Sequence, residues 1–155
     1  MQTIEDLLAQ APAFKRMSAA HRQTIAGCGR TAVFGPGEYL LREGDPADSF
    51  HVIRSGTVAL QTTVPQRGAV TLQTLDDGDL LGWSWLFPPH RTAFAALAVD
   101  STHTIMFDGT CLRSKCDADP ALGYDLHRLF AHLVIQRLQN TLLQLADVYG
   151  TVTGS

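Results

Sequence analysis

Basic charge is in short supply in this chain, and so is charge of any sign. Charged residues make up 17% of it and the formal net charge is −3, whereas general binding to nucleic acid or to a membrane surface wants a basic excess. No apolar run approaches the ~20 residues that a membrane-spanning helix requires. The amino-terminal MQTIEDLLAQ carries acids and no basic stretch, which is not the pattern of a secretory signal. Cysteine is scarce as well: Cys28, Cys111 and Cys116 are an odd number without a CxxC pair. A disulfide framework is therefore not expected, and a cytoplasmic setting is. Cys111 and Cys116 read as small half-buried residues at a helix start rather than as a metal pair. Among the histidines, His127 and His132 are five apart on one helix, about 140° from each other, and miss the i, i+4 spacing of zinc helices. No HxH pair and no arguable Ser-His-Asp set is present, so catalysis is not expected.

What is present is apolar material for a core, 45% of 155 residues, enough for one domain of ordinary size. The period of that material changes twice. Residues 1–29 read as amino-terminal helices, with Ile4, Leu7, Leu8, Ala11, Phe14, Met17 and Ile25 at helical spacing, Ser18 as an N-cap and Gly27 and Gly29 as stops. Residues 30–107 read as many short strands rich in Val, Ile, Thr, Phe and Leu, among them DLLGW, separated by glycine turns. Ser55-Gly56 looks like a hairpin turn between HVIR and TVAL. His51 and His103 alternate with apolar neighbours and are expected to face water. The fold class is mainly β with flanking helices, a double-sheet jelly roll.

Residues 108–150 return to helical spacing. Asp108 is the expected N-cap of a short helix, and Asp119-Pro120 opens a long one from about Ala121 to Val148. Ala131, Ile135, Leu138, Leu142, Leu145 and Tyr149 are spaced four, three, four, three, four, an a/d seam. Leu122, Leu126, Leu129 and Leu133, with Phe130 and Val134, form a second stripe. Two apolar faces need two partners: the β-region, and the same helix of a second copy, which makes residues 121–149 the expected homodimer contact. Residues 151–155 are left as a tail.

The ordered set of motifs resembles the cyclic nucleotide-binding domain of the Crp/Fnr superfamily in a stand-alone form, without a helix-turn-helix domain. FGPGEYLLREGDPADSFHVIRSGTVAL carries a Pro-Gly-Glu turn (Pro36, Gly37, Glu38), a Glu-Gly-Asp turn (Glu43, Gly44, Asp45) and a Ser-Gly turn before a valine-rich strand. Residues 78–93, GDLLG followed by Leu86-Phe87 and then Arg91-Thr92-Ala93, look like the family's phosphate-binding cassette. Arg137-Leu138-Gln139 lies where the family's dimerisation helix carries a similar triplet.

The resemblance implies a ligand, a cyclic nucleotide (cAMP or cGMP) or another phosphate-bearing molecule, between the roll and the long helix. Arg91 would pair with two phosphate oxygens, Thr92 would donate from its hydroxyl, small Ala93 would let the backbone come close, and Thr141 would reach a base. Gly82, Trp83 and Ser84 complete the expected binding set. Trp83 stands where the family has the glutamate that accepts from the ribose 2′-hydroxyl, and no carboxylate remains in the cassette. An indole cannot accept a hydrogen bond. It can stack on a base or ribose, or it can fill the pocket. Trp83 and Trp85 share a face if the segment is a strand, leaving Ser84 on the other as a replacement acceptor. Trp85 is expected in the core.

The expected function is thus sensing or regulation through a dimer helix. Its alternative is a degenerate dimerisation or protein-interaction module with the pocket filled by Trp83. With no output domain after Gly150, a protein partner is the expected output, and no direct DNA binding is expected.

Overall fold

The computed structural model describes residues 2–153. Four caps set where the chain turns helical. Thr3 and Asp6 form a reciprocal capping box that starts α1 (Ile4–Gln10), a 3-10 turn follows at Pro12–Phe14, and the Ser18 hydroxyl accepts from the His21 amide to start α2 (Ala19–Ala26). Asp108 caps α3 (Gly109–Ala118) by accepting from the Cys111 amide. Asp119 accepts from the amides of Ala121 and Leu122 at the head of α4 (Pro120–Thr153). Of the expected tail 151–155, Thr151–Thr153 continue α4 and the last two residues lie outside those described.

Between the helices run β1 (Gly29–Phe34), β2 (Tyr39–Leu41), β3 (Ser49–Ser55), β4 (Val58–Val64), β5 (Gly68–Leu75), β6 (Leu80–Leu81), β7 (Ala95–Ala98) and β8 (Thr102–Asp108). They form two four-stranded antiparallel sheets, in the orders β1-β8-β3-β6 and β2-β7-β4-β5. The expected jelly roll is present, but Ser55-Gly56 is not a hairpin turn. β3 and β4 belong to different sheets, so Gly56 turns a corner between them. It does so at φ +114, and a Cβ there would lie 2.6 Å from the Thr102 hydroxyl, so glycine is required for both conformation and space.

Alternation along β3 divides the core in two. Phe50 and Val52 face the helices and pack in one cluster with Leu8, Phe14, Leu122 and Phe130. Ile53, one face over, packs between the sheets with Val58, Leu60, Leu81 and Ala96. Phe50 is the hub of the first cluster. Its ring lies 5.2 Å from Trp85, 4.7 Å from Phe107 and 5.0 Å from Phe130, and so ties β3, the cassette, β8 and α4 together. Of the expected second stripe of α4, Leu122, Leu126 and Phe130 are buried while Leu129, Leu133 and Val134 are half-buried, and His21 Nδ1 stands 2.6 Å from Asp125 Oδ2 to join α2 to α4. No helix among the described residues is long and apolar enough to cross a membrane.

Two expectations fail here. Cys28 and Cys111 are disulfide-bonded, with Cα atoms 5.9 Å apart. Eighty-three residues separate them in sequence, and what brings them together is the closure of the roll: the Asp108 amide donates to the Cys28 carbonyl at 2.9 Å. Counting cysteines could not register that return. His51 does not face water either; it is fully buried, while His103 is exposed. On a strand covered on both faces, alternation sends His51 into the roll on the side of Ile53, where its Nδ1 meets the Thr104 hydroxyl at 3.0 Å and its ring meets Phe34 edge-on.

Burial first, and the Arg30 charge second, hold the His51 imidazole down at about 4. An unfolded imidazole titrates near ~6.5, so between these values the unfolded chain binds a proton that the folded chain refuses. This contribution to stability is present above pH ~6.5 and is lost as pH falls toward about 4. We expect urea unfolding of the wild type to lose roughly 2–3 kcal/mol between pH 7.5 and 4.5 through this group. His51→Leu should flatten that slope; an unchanged slope would show that other groups set the acid lability.

Candidate functional site

Strand β6 ends at Leu81, not at Trp83 as expected, because the chain bends at Gly82. That residue sits at φ +90, and a Cβ on it would approach the Ser49 carbonyl at 3.2 Å and the Phe50 Cα at 3.3 Å. Beyond it, Trp83–Leu86 form a turn closed by the Leu86 amide on the Trp83 carbonyl at 3.3 Å. Strand alternation therefore does not govern the two tryptophans. Trp85 goes fully into the core against Phe50 and Phe130, as expected, with its indole N–H lacking a partner. Trp83 stays half-buried.

The cassette is fastened from three directions. The Thr92 amide donates to the Asp45 carbonyl at 2.8 Å, and the Gly44 amide donates to the Thr92 carbonyl at 2.9 Å, so the Glu-Gly-Asp turn zips onto the end of the cassette. The Ser84 hydroxyl accepts from the Ala93 amide at 3.2 Å and closes the loop on itself. From α3, Arg113 donates to the Trp85 carbonyl at 2.6 Å. Arg113 was not legible as a site-supporting residue: only the three-dimensional return of α3 places it under the loop.

These contacts hold open a cavity of about 350 Å³ between the second sheet, the cassette and α4. Six of the seven expected binding residues line it: Gly82, Trp83, Ser84, Thr92, Ala93 and Thr141. The seventh, Arg91, does not. Its backbone pairs with Pro46 in an isolated bridge and its side chain is exposed outside the lining. Two of the amides that a bound phosphate could use, those of Thr92 and Ala93, already have protein acceptors. The Thr141 hydroxyl donates to the Arg137 carbonyl one turn back.

The wall is mostly apolar, with Leu41, Leu60, Phe94 and Val134 beside Trp83. Its single charged side chain among the described residues is Arg137, whose guanidinium donates to the Leu80 carbonyl. Burial pulls Arg137 down to about 10, with the Asp79 charge pulling the other way, so it stays a cation at neutral pH. The sequence marked Arg137 as part of a helix triplet and not as a cavity residue. Its i−4 relation to Thr141 was the available signal.

A model of the family described as "Cyclic nucleotide-binding domain" matches residues 31–119. The chain is 24% identical over 148 residues to a CRP-like cAMP-activated global transcriptional regulator of Mycobacterium tuberculosis, a match covering 96% of this chain and 64% of that regulator. The chain thus spans a little under two thirds of the length of this curated relative. Among solved structures, a protein of Geobacter metallireducens GS-15 named for cyclic nucleotide binding superposes with a TM-score of 0.79 at 24% identity, covering 89% of this chain and 99% of that one. The regulatory domain of Toxoplasma gondii PKA, crystallised with cAMP, superposes with a TM-score of 0.72 at 18% identity, covering 86% of this chain and 49% of that one. At these identities the two structures speak for the shared fold.

Proposed function

The chain belongs to the cyclic nucleotide-binding domain family, and from that premise we propose that it is a ligand-sensing regulatory domain. A small anionic ligand enters the cavity between the roll and α4, and its occupancy is passed on through a pair of α4 helices. The observation that carries this reading is the cavity itself, walled by six of the seven residues that the cassette and dimer-helix motifs single out. A ligand that touches both the cassette and α4 has a different interaction free energy whenever the helix shifts, which is the condition for a binding event to move an equilibrium.

Cyclic AMP is the first ligand to test, because the Mycobacterium tuberculosis relative is named for activation by it; cyclic GMP follows. To meet a phosphate, Arg91 must turn in over Thr92 from its exposed position. The reading in which Trp83 plugs the pocket has against it that Trp83 lines the cavity and leaves about 350 Å³ beside it.

The seam of α4 supports the paired helix. Ile135, Leu138, Leu142, Leu145 and Tyr149 are all at least 48% exposed, a contiguous apolar stripe at coiled-coil spacing. We expect light scattering to give a dimer mass for the wild type and a monomer mass for Leu142→Glu/Leu145→Glu. In calorimetric titrations the wild type should bind an anionic ligand saturably. Ala93→Trp, which fills the cavity from the cassette side, should not. A monomeric wild type would refute the paired helix, and binding that survives Ala93→Trp would refute the cavity.

A further inference from the structure

The composition of the cavity wall says more about the ligand than its family does. Sugar hydroxyls need acceptors in a dry site, and a buried polar group left unpaired costs about 1–3 kcal/mol. Among the described residues no carboxylate lines this cavity. The Ser84 oxygen already accepts from the Ala93 amide, and the Thr141 hydroxyl, which donates to the Arg137 carbonyl, keeps only a neutral acceptor oxygen. Ser49, Gln73, Thr92 and Gln144 add neutral polar groups, and large apolar side chains, Trp83, Phe94, Leu60 and Leu72 among them, supply most of the remaining surface. Such a wall accepts a ring-sized apolar body and offers a ribose no charged acceptor.

Against this stands one charge. Arg137 is half-buried, it is the only charged side chain in the lining among the described residues, and the one hydrogen bond the structure gives its guanidinium is to the neutral Leu80 carbonyl. A guanidinium presents five donors in a planar fork, so most of its hydrogen-bonding capacity is left for a partner. A planar carboxylate matches that fork with two parallel bonds. Arg91, the expected phosphate ligand, is exposed and lies outside the lining.

We propose that the cavity takes a carboxylate with a flat apolar body and no sugar, its carboxylate on Arg137 and its body against Trp83 and Phe94. This rests on the reading of the cavity as the ligand site and names the class of ligand for it. The carboxylate offsets the desolvation of the Arg137 cation, and the body displaces water from the apolar wall. Because Arg137 stands on α4 and Trp83 on the cassette, such a ligand bridges the two elements whose relative position the sensing reading requires.

The test uses the full chain and three probes: 1-naphthaleneacetate, its neutral isostere 1-naphthaleneacetamide, and cyclic AMP. Binding is followed by calorimetry. The acetate should bind at least about tenfold more tightly than the amide, the difference a charge-assisted bidentate pair makes, and more tightly than cyclic AMP. Arg137→Gln should bring acetate and amide to within about threefold of each other, whereas Arg91→Ala should leave the acetate unchanged. Should Arg137→Gln fold poorly, the acetate-to-amide ratio in the wild type remains decisive. Equal binding of acetate and amide overturns the assignment of Arg137. Tight cyclic AMP binding that is lost in Arg91→Ala, with no acetate binding, overturns the ligand class and leaves the cavity as the site. Flat traces for all three probes overturn the sensing reading as well.

Discussion

Phe50→Ala should lower the unfolding free energy by about 3–5 kcal/mol, the range for removing a large aromatic ring from a closed core. The ring is fully buried and is in aromatic contact with Trp85, Phe107 and Phe130 at once. Offset and edge-on ring pairs add to the burial of area, by about 0.5–1.5 kcal/mol each. Collapse into the hole is restricted because its walls come from β3, the cassette turn, β8 and α4, which are held separately by the sheet ladder and by Arg113. Urea unfolding at neutral pH gives the number directly. The same substitution frees Trp85, which also lines the cavity, so ligand affinity should fall in step with stability. A loss below about 1 kcal/mol would mean that the hub does not bear on the fold as its contacts imply.

Trp83→Glu should raise the affinity for cyclic AMP by about one to two orders of magnitude. The substitution places a carboxylate at the cassette position where the family's ribose acceptor stands, and a hydrogen bond to a charged acceptor contributes about 1.5–3 kcal/mol, which is roughly 10- to 150-fold in affinity. Trp83 is only half-buried and packs at the edge of the helix-side cluster, so the fold should survive its removal. The carboxylate would also compete for Arg137, and naphthaleneacetate should bind more weakly to the variant. Opposite movement of the two affinities is the signature of one cavity with its polarity reversed. Unchanged cyclic AMP binding would place the ribose elsewhere.

Much of this architecture is written in local signals. Caps at Ser18, Asp108 and Asp119 and the spacing of the α4 stripes translate directly into elements, because each depends on neighbours within one turn. The turn residues at Gly37, Gly44 and Gly78 all adopt positive φ, which glycine alone takes without strain. The misreadings share a cause. The disulfide, the buried His51 and the corner at Gly56 are set by which sheet each strand joins, and that is decided by residues far away in sequence. Trp83 and Trp85 part company because a positive-φ glycine ends the strand two residues before alternation would have ended it. The candidate site was legible as a set of residues because the cassette is one continuous segment. Its electrostatics were not, since the cation that lines the cavity comes from α4 and the arginine in the motif is exposed outside the lining.

The central claim is that ligand enters between the cassette and α4, and backbone amide chemical shifts test it most directly. Titrating ¹⁵N-labelled protein with 1-naphthaleneacetate and with cyclic AMP should move resonances of Gly82–Ser84, Thr92–Phe94 and Val134–Thr141 together. Shifts that gather instead in the groove between Pro12–Met17 and Arg128–Gln136, where a separate cavity lies, or no shifts with either compound at millimolar concentration, would contradict it.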